Sequence, residues 1–187
     1  MHVILASRSP RRMELLRQII PQFEVIPSDA PEILDPARPA AELAETNARA
    51  KAASVAQRFP EALVIGADTL VFLDDVVFGK PANLAEAERM LETLSGRTHQ
   101  VVTGICLVEA ALGREKAFSV ITDVTFRKLS RREIGAYLRS IDPLDKAGAY
   151  AIQQNGDWIV EGTSGSYSNV VGLPLERLET ELQEWPG

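Results

Sequence analysis

The sequence is poor in the groups that several common chemistries need. It has one cysteine, Cys106, and two histidines, His2 and His99. A lone cysteine forms no intrachain disulfide, which fits a reducing, cytoplasmic setting. Two histidines, one of them beside the terminus, argue against a histidine-centred metal site. No apolar run approaches the roughly 20 residues of a membrane span. The first residues lack the basic region and apolar core of a signal peptide. Positive charge is also short: 26 acids against 20 bases leave a net charge of −6. A general nucleic-acid binder wants the opposite balance. The glycine patterns of the Walker loop and the dinucleotide turn are absent. So is the Gly-x-Ser-x-Gly elbow of serine hydrolases.

What remains is an ordinary globular composition. The 187 residues are 45% apolar and 25% charged, which suits a single domain over 1–187 with a proper core. Strand signals fall at 3–6, 23–26, 63–65, 70–73, 76–78, 100–108, 118–127 and 158–161. The alternation of Phe118, Val120, Thr122, Val124 and Phe126 predicts an antiparallel strand with one wet face. Asp74-Asp75 between two apolar runs predicts a tight hairpin. Helix signals fall at 10–19, 40–57, 84–94, 131–140 and 174–184. Asn83 with Glu86, and Ser130 with Glu133, have capping-box spacing. The segment 27–39 holds four prolines and reads as an extended loop. Strands linked by hairpins among helices predict a mixed α/β sheet rather than a regular doubly wound one.

The most telling stretch is Ser7-Arg8-Ser9-Pro10-Arg11-Arg12, between a short apolar run and a helical pattern. Ser9 suits an N-cap and Pro10 the first helical position. Arg11 and Arg12 then sit at the positive end of the helix dipole, where acids are the favoured choice. Free N–H groups, hydroxyls and two guanidinium groups at a helix start suit a phosphate. Two exposed arginines on an ordinary helix are the competing account.

Asp68 follows the apolar run Leu63-Val64-Ile65-Gly66-Ala67. A carboxylate at the end of a buried strand needs a partner, and a metal is one such partner. An Asx-type turn is the other account. Glu32, in the proline-rich loop, could supply further oxygen ligands. Lys80, between Gly79 and Pro81, could point its ammonium at a phosphate. Lys51 lies in an alanine-rich helix and carries less signal. His99 reads as a hydrogen-bonded structural residue. Two late blocks, 145–153 and 165–174, mix small and polar residues, as a backbone must where it closely approaches a ligand. Gln153 in the first has an amide that can both donate and accept, the chemistry needed to read the edge of a base.

Taken in order, these blocks resemble the Maf family of nucleoside triphosphate pyrophosphatases. The motifs are Ser7 to Leu16, Gly66-Ala67-Asp68-Thr69, Gly79-Lys80-Pro81, Leu94 to His99, Asp145 to Gln153 and Gly165 to Pro174. The resemblance implies an elongated twisted mixed sheet flanked by helices, two lobes with a cleft, like inosine-triphosphate pyrophosphatases. It implies hydrolysis of a nucleoside triphosphate to the monophosphate and pyrophosphate with Mg²⁺ or Mn²⁺. Asp68 would be the catalytic residue, a proton acceptor. Ser7, Arg11, Arg12, Lys51 and Lys80 would hold phosphates, with Thr69 and Gln153 also binding the nucleotide. Glu32 and Asp68 would position the metal. A bound phosphate would offset the dipole contact, leaving the first turn of the arginine helix the least settled part of it when the site is empty.

Asp68-Thr69 and Tyr150-Ala151-Ile152-Gln153 resemble the dTTP/UTP type of this family, whereas the 7-methyl-GTP type has Asp-Gln and a later acidic residue. A neutral pyrimidine suits an amide, and a cationic methylated guanine suits a carboxylate. Two alternatives stand beside this reading: a pyrophosphatase for a modified nucleotide such as 7-methyl-GTP, and a nucleotide-binding regulator of septum formation. The partners expected are the triphosphate and, at family level, a second copy of the chain as a homodimer, with no nucleic acid and no membrane.

Overall fold

The structure is a computed structural model describing residues 2–74 and 76–186. Asp75, half of the expected Asp74-Asp75 turn, lies outside the described residues. The strands are β1 (Val3–Leu5), β2 (Glu24–Val25), β3 (Leu63–Leu73), β4 (Val76–Phe78), β5 (Thr98–Glu109), β6 (Arg114–Phe126) and β7 (Val160–Ser164). The helices are α1 (Pro10–Leu16), α2 (Ala40–Ala56), α3 (Leu84–Leu94), α4 (Arg131–Ser140), α5 (Tyr167–Val171) and α6 (Leu175–Gln183).

All seven strands among the described residues join one mixed sheet in the order β2-β1-β3-β5-β6-β7, with β4 also pairing to β3. The β1–β2 and β1–β3 pairs are parallel and the rest antiparallel. This is the mixed α/β sheet that the hairpin-linked strands predict. β6 runs antiparallel to both neighbours, and its residues Phe118, Thr122, Val124 and Phe126 are buried while Ile121 is exposed.

One edge of β3 makes room for the site. β1 pairs with Leu63 to Ile65, and β4 with Val71 to Leu73. Between them β3 has no strand partner on that side, and the chain leaving β1 turns away there after Ala6 N–H bonds to the Ile65 carbonyl. Asp68 and Thr69 occupy this gap. Successive strand residues face opposite sides of a sheet, so Asp68 faces α2 and Thr69 faces α1.

Three main apolar clusters set the surrounding walls. Leu5, Ile65, Ile105 and Leu107 pack under α1 and α6 with Leu16 and Leu178. Ile4, Val64 and Cys106 pack against Ala48, Ala52 and Val55 of α2. Beyond the gap, Val71, Phe78, Leu91, Val124, Ile134 and Tyr137 unite α3 and α4 with the far ends of the long strands.

The helix on the α2 side lies very close to the sheet. A methyl group on Gly66 would fall 2.3 Å from the Ala48 carbonyl oxygen, and one on Gly104 would fall 2.4 Å from that of Ala44. Only glycine on the strands and alanine on the helix permit that approach.

Several elements differ from the sequence expectation. The runs 63–65 and 70–73 are parts of one continuous strand, because the residues between them pair with β5 without a break. The last strand lies at Val160–Ser164 rather than 158–161, with a 3-10 turn at Gly156–Trp158 taking the start of that segment. α1 ends at Leu16 rather than at 19. α5 is a short helix that the pattern does not announce; the Ser166 hydroxyl caps it by accepting from the Asn169 N–H. Ser130 and Glu133 form the expected capping box. Asn83 caps α3, while Glu86 accepts from the Ala82 N–H rather than from that of Asn83.

Candidate active site

The gap in β3 opens into a cleft of about 600 Å³. Its lining includes all the residues singled out above as site candidates: Ser7, Arg11, Arg12, Glu32, Lys51, Asp68, Thr69, Lys80 and Gln153. They come from the β1–α1 turn, the first turn of α1, the proline-rich loop, α2, β3, the segment after β4 and the segment after α4.

Asp68 is 3% exposed. Both carboxylate oxygens have partners on α2. Lys51 Nζ donates to Oδ1 at 2.6 Å, and Asn47 Nδ2 donates to Oδ2 at 2.8 Å. Asn47 and Lys51 are one turn apart on the helix, so they share a face. Lys51 Nζ also donates to Glu32 Oε1 at 2.8 Å, and Lys80 Nζ reaches the same oxygen at 3.1 Å. Burial pushes the Glu32 carboxyl up, but the two ammonium groups outweigh it and hold the group at about 2. Glu32 is therefore ionised at neutral pH.

On the other face of β3, Arg12 is held by the protein on three sides. Its Nε donates to the Gly172 carbonyl at 2.8 Å, Nη1 to Ser7 Oγ at 3.2 Å and Nη2 to Thr69 Oγ1 at 2.9 Å. Thr69 Oγ1 in turn pairs with Thr103 Oγ1 at 3.0 Å. Burial lowers the guanidinium pKa and Asp68 acts against that, but arginine starts so high that the group stays charged. Arg11 donates from Nη1 to Asp145 Oδ2 at 3.0 Å. The Asp145 carboxyl lies below its ordinary value: burial raises it, and hydrogen bonds from Lys146 and Arg11 with their charges outweigh that. The first turn of α1 is thus settled by protein contacts without a phosphate. Ser9 caps it through the Arg12 N–H, as its position predicts.

Gln153 is exposed at the cleft wall. His99 is structural. It is 1% exposed, bonds the Tyr150 hydroxyl through Nε2 at 2.8 Å, and meets Phe126 and Tyr150 edge-on. Burial lowers its pKa to about 4, so it is neutral at physiological pH.

The carboxylate pair fits a small hard divalent cation. Glu32 Oε1 and Asp68 Oδ1 accept from one ammonium, so they converge on a point that already holds positive charge. Mg²⁺ is commonly bound by one or two carboxylates with phosphate and water completing the shell. Among the described residues no group of three or more His, Cys, Asp or Glu could hold a metal, so phosphate and water would have to supply the remaining ligands.

Sequence reasoning missed Asn47, Thr103 and Asp145 as partners of this site. For Asn47 a signal was present: Asn47, Lys51 and Ser54 form one polar face in a helix otherwise rich in alanine.

The fold is that of the Ham1 proteins. Solved structures from Staphylococcus aureus and Coxiella burnetii superpose with TM-scores of 0.53 and 0.54, each at 18% identity and over at least 98% of both chains. The chain belongs to the Maf-like protein family, whose model matches residues 2–185. It is similar to dTTP/UTP pyrophosphatases of known sequence. One from Carboxydothermus hydrogenoformans is 48% identical over 99% of both chains, and one from Thermococcus kodakarensis is 49% identical over 93% of this chain and 92% of its own. No helix among the described residues is long and apolar enough to cross a membrane.

Proposed function

We propose that this protein hydrolyses nucleoside triphosphates, dTTP and UTP foremost, to the monophosphate and pyrophosphate, in the cytoplasm. The observation that carries the reading is the buried carboxylate of Asp68, set beside Glu32 in a cleft that also holds Lys51, Lys80, Arg11 and Arg12. In a chain of net charge −6, this cleft is lined by six basic residues against four acids, a local excess of positive charge that suits a polyanionic ligand. The relatives named dTTP/UTP pyrophosphatase support the substrate class.

Phosphoryl-type transfers depend on positioning and charge neutralisation more than on covalent catalysis. Arg12, immobilised by Gly172, Ser7 and Thr69, presents its remaining N–H groups to phosphate oxygens at no further cost in side-chain entropy. Lys51 and Lys80 exchange their carboxylate partner for phosphate, and Arg11 does the same with Asp145. Release of Lys51 frees Asp68 Oδ1, which orients the attacking water, whose proton passes to solvent. The water oxygen bonds to phosphorus, the bond to pyrophosphate breaks, and the cations meet the charge that leaves. Glu32 and Asp68 would hold Mg²⁺ or Mn²⁺, which when bound supplies charge neutralisation at the phosphate oxygens. Gln153 reads the imide edge of the pyrimidine.

A panel of triphosphates assayed for pyrophosphate release, with wild type and Asp68→Asn, tests this. Turnover of dTTP and UTP above all others, abolished in the variant, is the expected outcome. Preference for 7-methyl-GTP would overturn the pyrimidine assignment. Tight nucleotide binding with no turnover would favour a regulatory protein. Near-wild-type turnover by Asp68→Asn at saturating metal would remove Asp68 from the chemistry.

A further inference from the structure

We infer that Asn47 is the positioning residue of the site, setting both carboxylates through one side chain; the inference rests on the function proposed above. Asn47 is 1% exposed and its amide is fully engaged. Nδ2 donates to the Ile33 carbonyl at 3.0 Å and to Asp68 Oδ2 at 2.8 Å, while Oδ1 accepts from the Ile33 N–H at 2.8 Å. The two bonds to Ile33 pair the amide with the loop backbone as a neighbouring strand would. The third bond fixes the rotation of the Asp68 carboxylate.

The consequence for the site follows from adjacency. Ile33 directly follows Glu32, so the tie to Ile33 sets where Glu32 stands. Apolar burial does little to hold the loop at this point: Ile33 is 41% and Leu34 52% exposed. Other ties to α2 are Lys51 to Glu32, at 2.8 Å, and Ser28 to Ser54, at 2.7 Å, but both join side chains, whereas Asn47 holds the loop by its backbone. Because Oδ2 of Asp68 is occupied by a neutral, immobile donor, Oδ1 is left as the oxygen that faces Lys51 and Glu32. A carboxylate without that donor is free to rotate, and the choice of oxygen is lost. An amide suits this role. It carries two N–H donors and one carbonyl acceptor, the set needed to meet a carboxylate, a backbone carbonyl and a backbone N–H together. A carboxylate at position 47 lacks the donors when ionised, and leucine lacks all three groups.

Two variants of the full-length protein separate positioning from mere structural support. Asn47→Ala removes every bond. Asn47→Asp keeps the acceptor for the Ile33 N–H, fits the same space and, when ionised, removes the donors to Asp68 and to the Ile33 carbonyl. Loss of an outer partner of a metal-binding carboxylate typically costs about 10- to 100-fold. In both variants kcat for pyrophosphate release is expected to fall by that order, while KM for the nucleotide stays within about twofold because the arginines are untouched. Hydrogen exchange at the Ile33 amide is expected to quicken about tenfold or more in Asn47→Ala and to stay protected in Asn47→Asp. Wild-type kcat in Asn47→Asp, or unchanged Ile33 exchange in folded Asn47→Ala, would overturn the inference. If the wild type turns over no triphosphate, the function proposed above falls, and the exchange comparison alone decides whether Asn47 holds the Glu32 loop.

Discussion

Gly66→Ala tests whether the depth at which α2 is seated controls the chemistry. The new methyl would lie 2.3 Å from the Ala48 carbonyl oxygen, 2.7 Å from the Ala52 nitrogen and 2.8 Å from the Ala52 Cβ. Ordinary contact begins near 3.4 Å. Two of the three obstacles are helix backbone, which no rotamer change can move aside. The helix must therefore withdraw by about 1 Å, a small-to-large change of a kind that costs roughly 1–3 kcal/mol. The same shift acts on the site. Asn47 and Lys51 hold Asp68 at 2.8 and 2.6 Å, and about 1 Å more takes both beyond normal hydrogen-bond length. Misplacement of that size can cost about 100-fold in rate. The assay is kcat for pyrophosphate release from UTP or dTTP, set beside the thermal unfolding midpoint. Gly113→Ala is the control. That glycine has φ +62 and nothing within 4 Å, so alanine there costs about 1 kcal/mol of backbone strain and leaves kcat alone. A folded Gly66→Ala protein with kcat within about twofold of wild type would refute the link between helix seating and catalysis.

Two further outcomes are expected. Arg12→Lys keeps the charge but cannot serve the Gly172 carbonyl, Ser7 and Thr69 together from a planar fork; kcat/KM should fall about 10- to 100-fold, and a loss below about twofold in steady-state assays would show that charge alone suffices. Acid should destabilise the fold through His99, whose pKa is about 4 when folded against an ordinary 6.5. Because the unfolded chain takes up the proton first, stability present above pH 6.5 is lost as pH falls toward 4, by up to about 3 kcal/mol. Thermal melts against pH should show that slope, His99→Gln should flatten it, and an unchanged slope in that variant would assign the loss to other groups.

Much of this architecture is legible in the sequence because burial and periodicity agree there. The alternation over β6 and the capping signals at Ser130 and Ser9 act locally, and they are found where the pattern places them. The break read between 63–65 and 70–73 has a different origin. Gly66-Ala67-Asp68-Thr69 has little strand propensity of its own, and pairing with β5 imposes the strand from outside. α5 has only five residues, too few for a helical period to show. At the site, the charged residues stand out in the sequence as chemistry-bearing types, and a single cleft gathers them. Their neutral partners do not stand out. Asn47, Thr103 and the Gly172 carbonyl act through positions that only the folded chain brings within reach of Asp68, Thr69 and Arg12.

The long strands carry a mechanical consequence. β3, β5 and β6 have 11, 12 and 13 residues and pair side by side over most of their length. At about 3.3 Å per residue, the longest span roughly 40 Å. They run from the apolar cluster beneath α1 and α6 to the one beneath α3 and α4, so both walls of the cleft are mounted on the same three strands. No loop serves as a hinge between these walls along that path. Along those strands the walls can shift only by torsion spread over the whole ladder, which acts as a stiff spring rather than a door. Selectivity in such a frame falls to the side chains and loop segments that reorient on a fixed support.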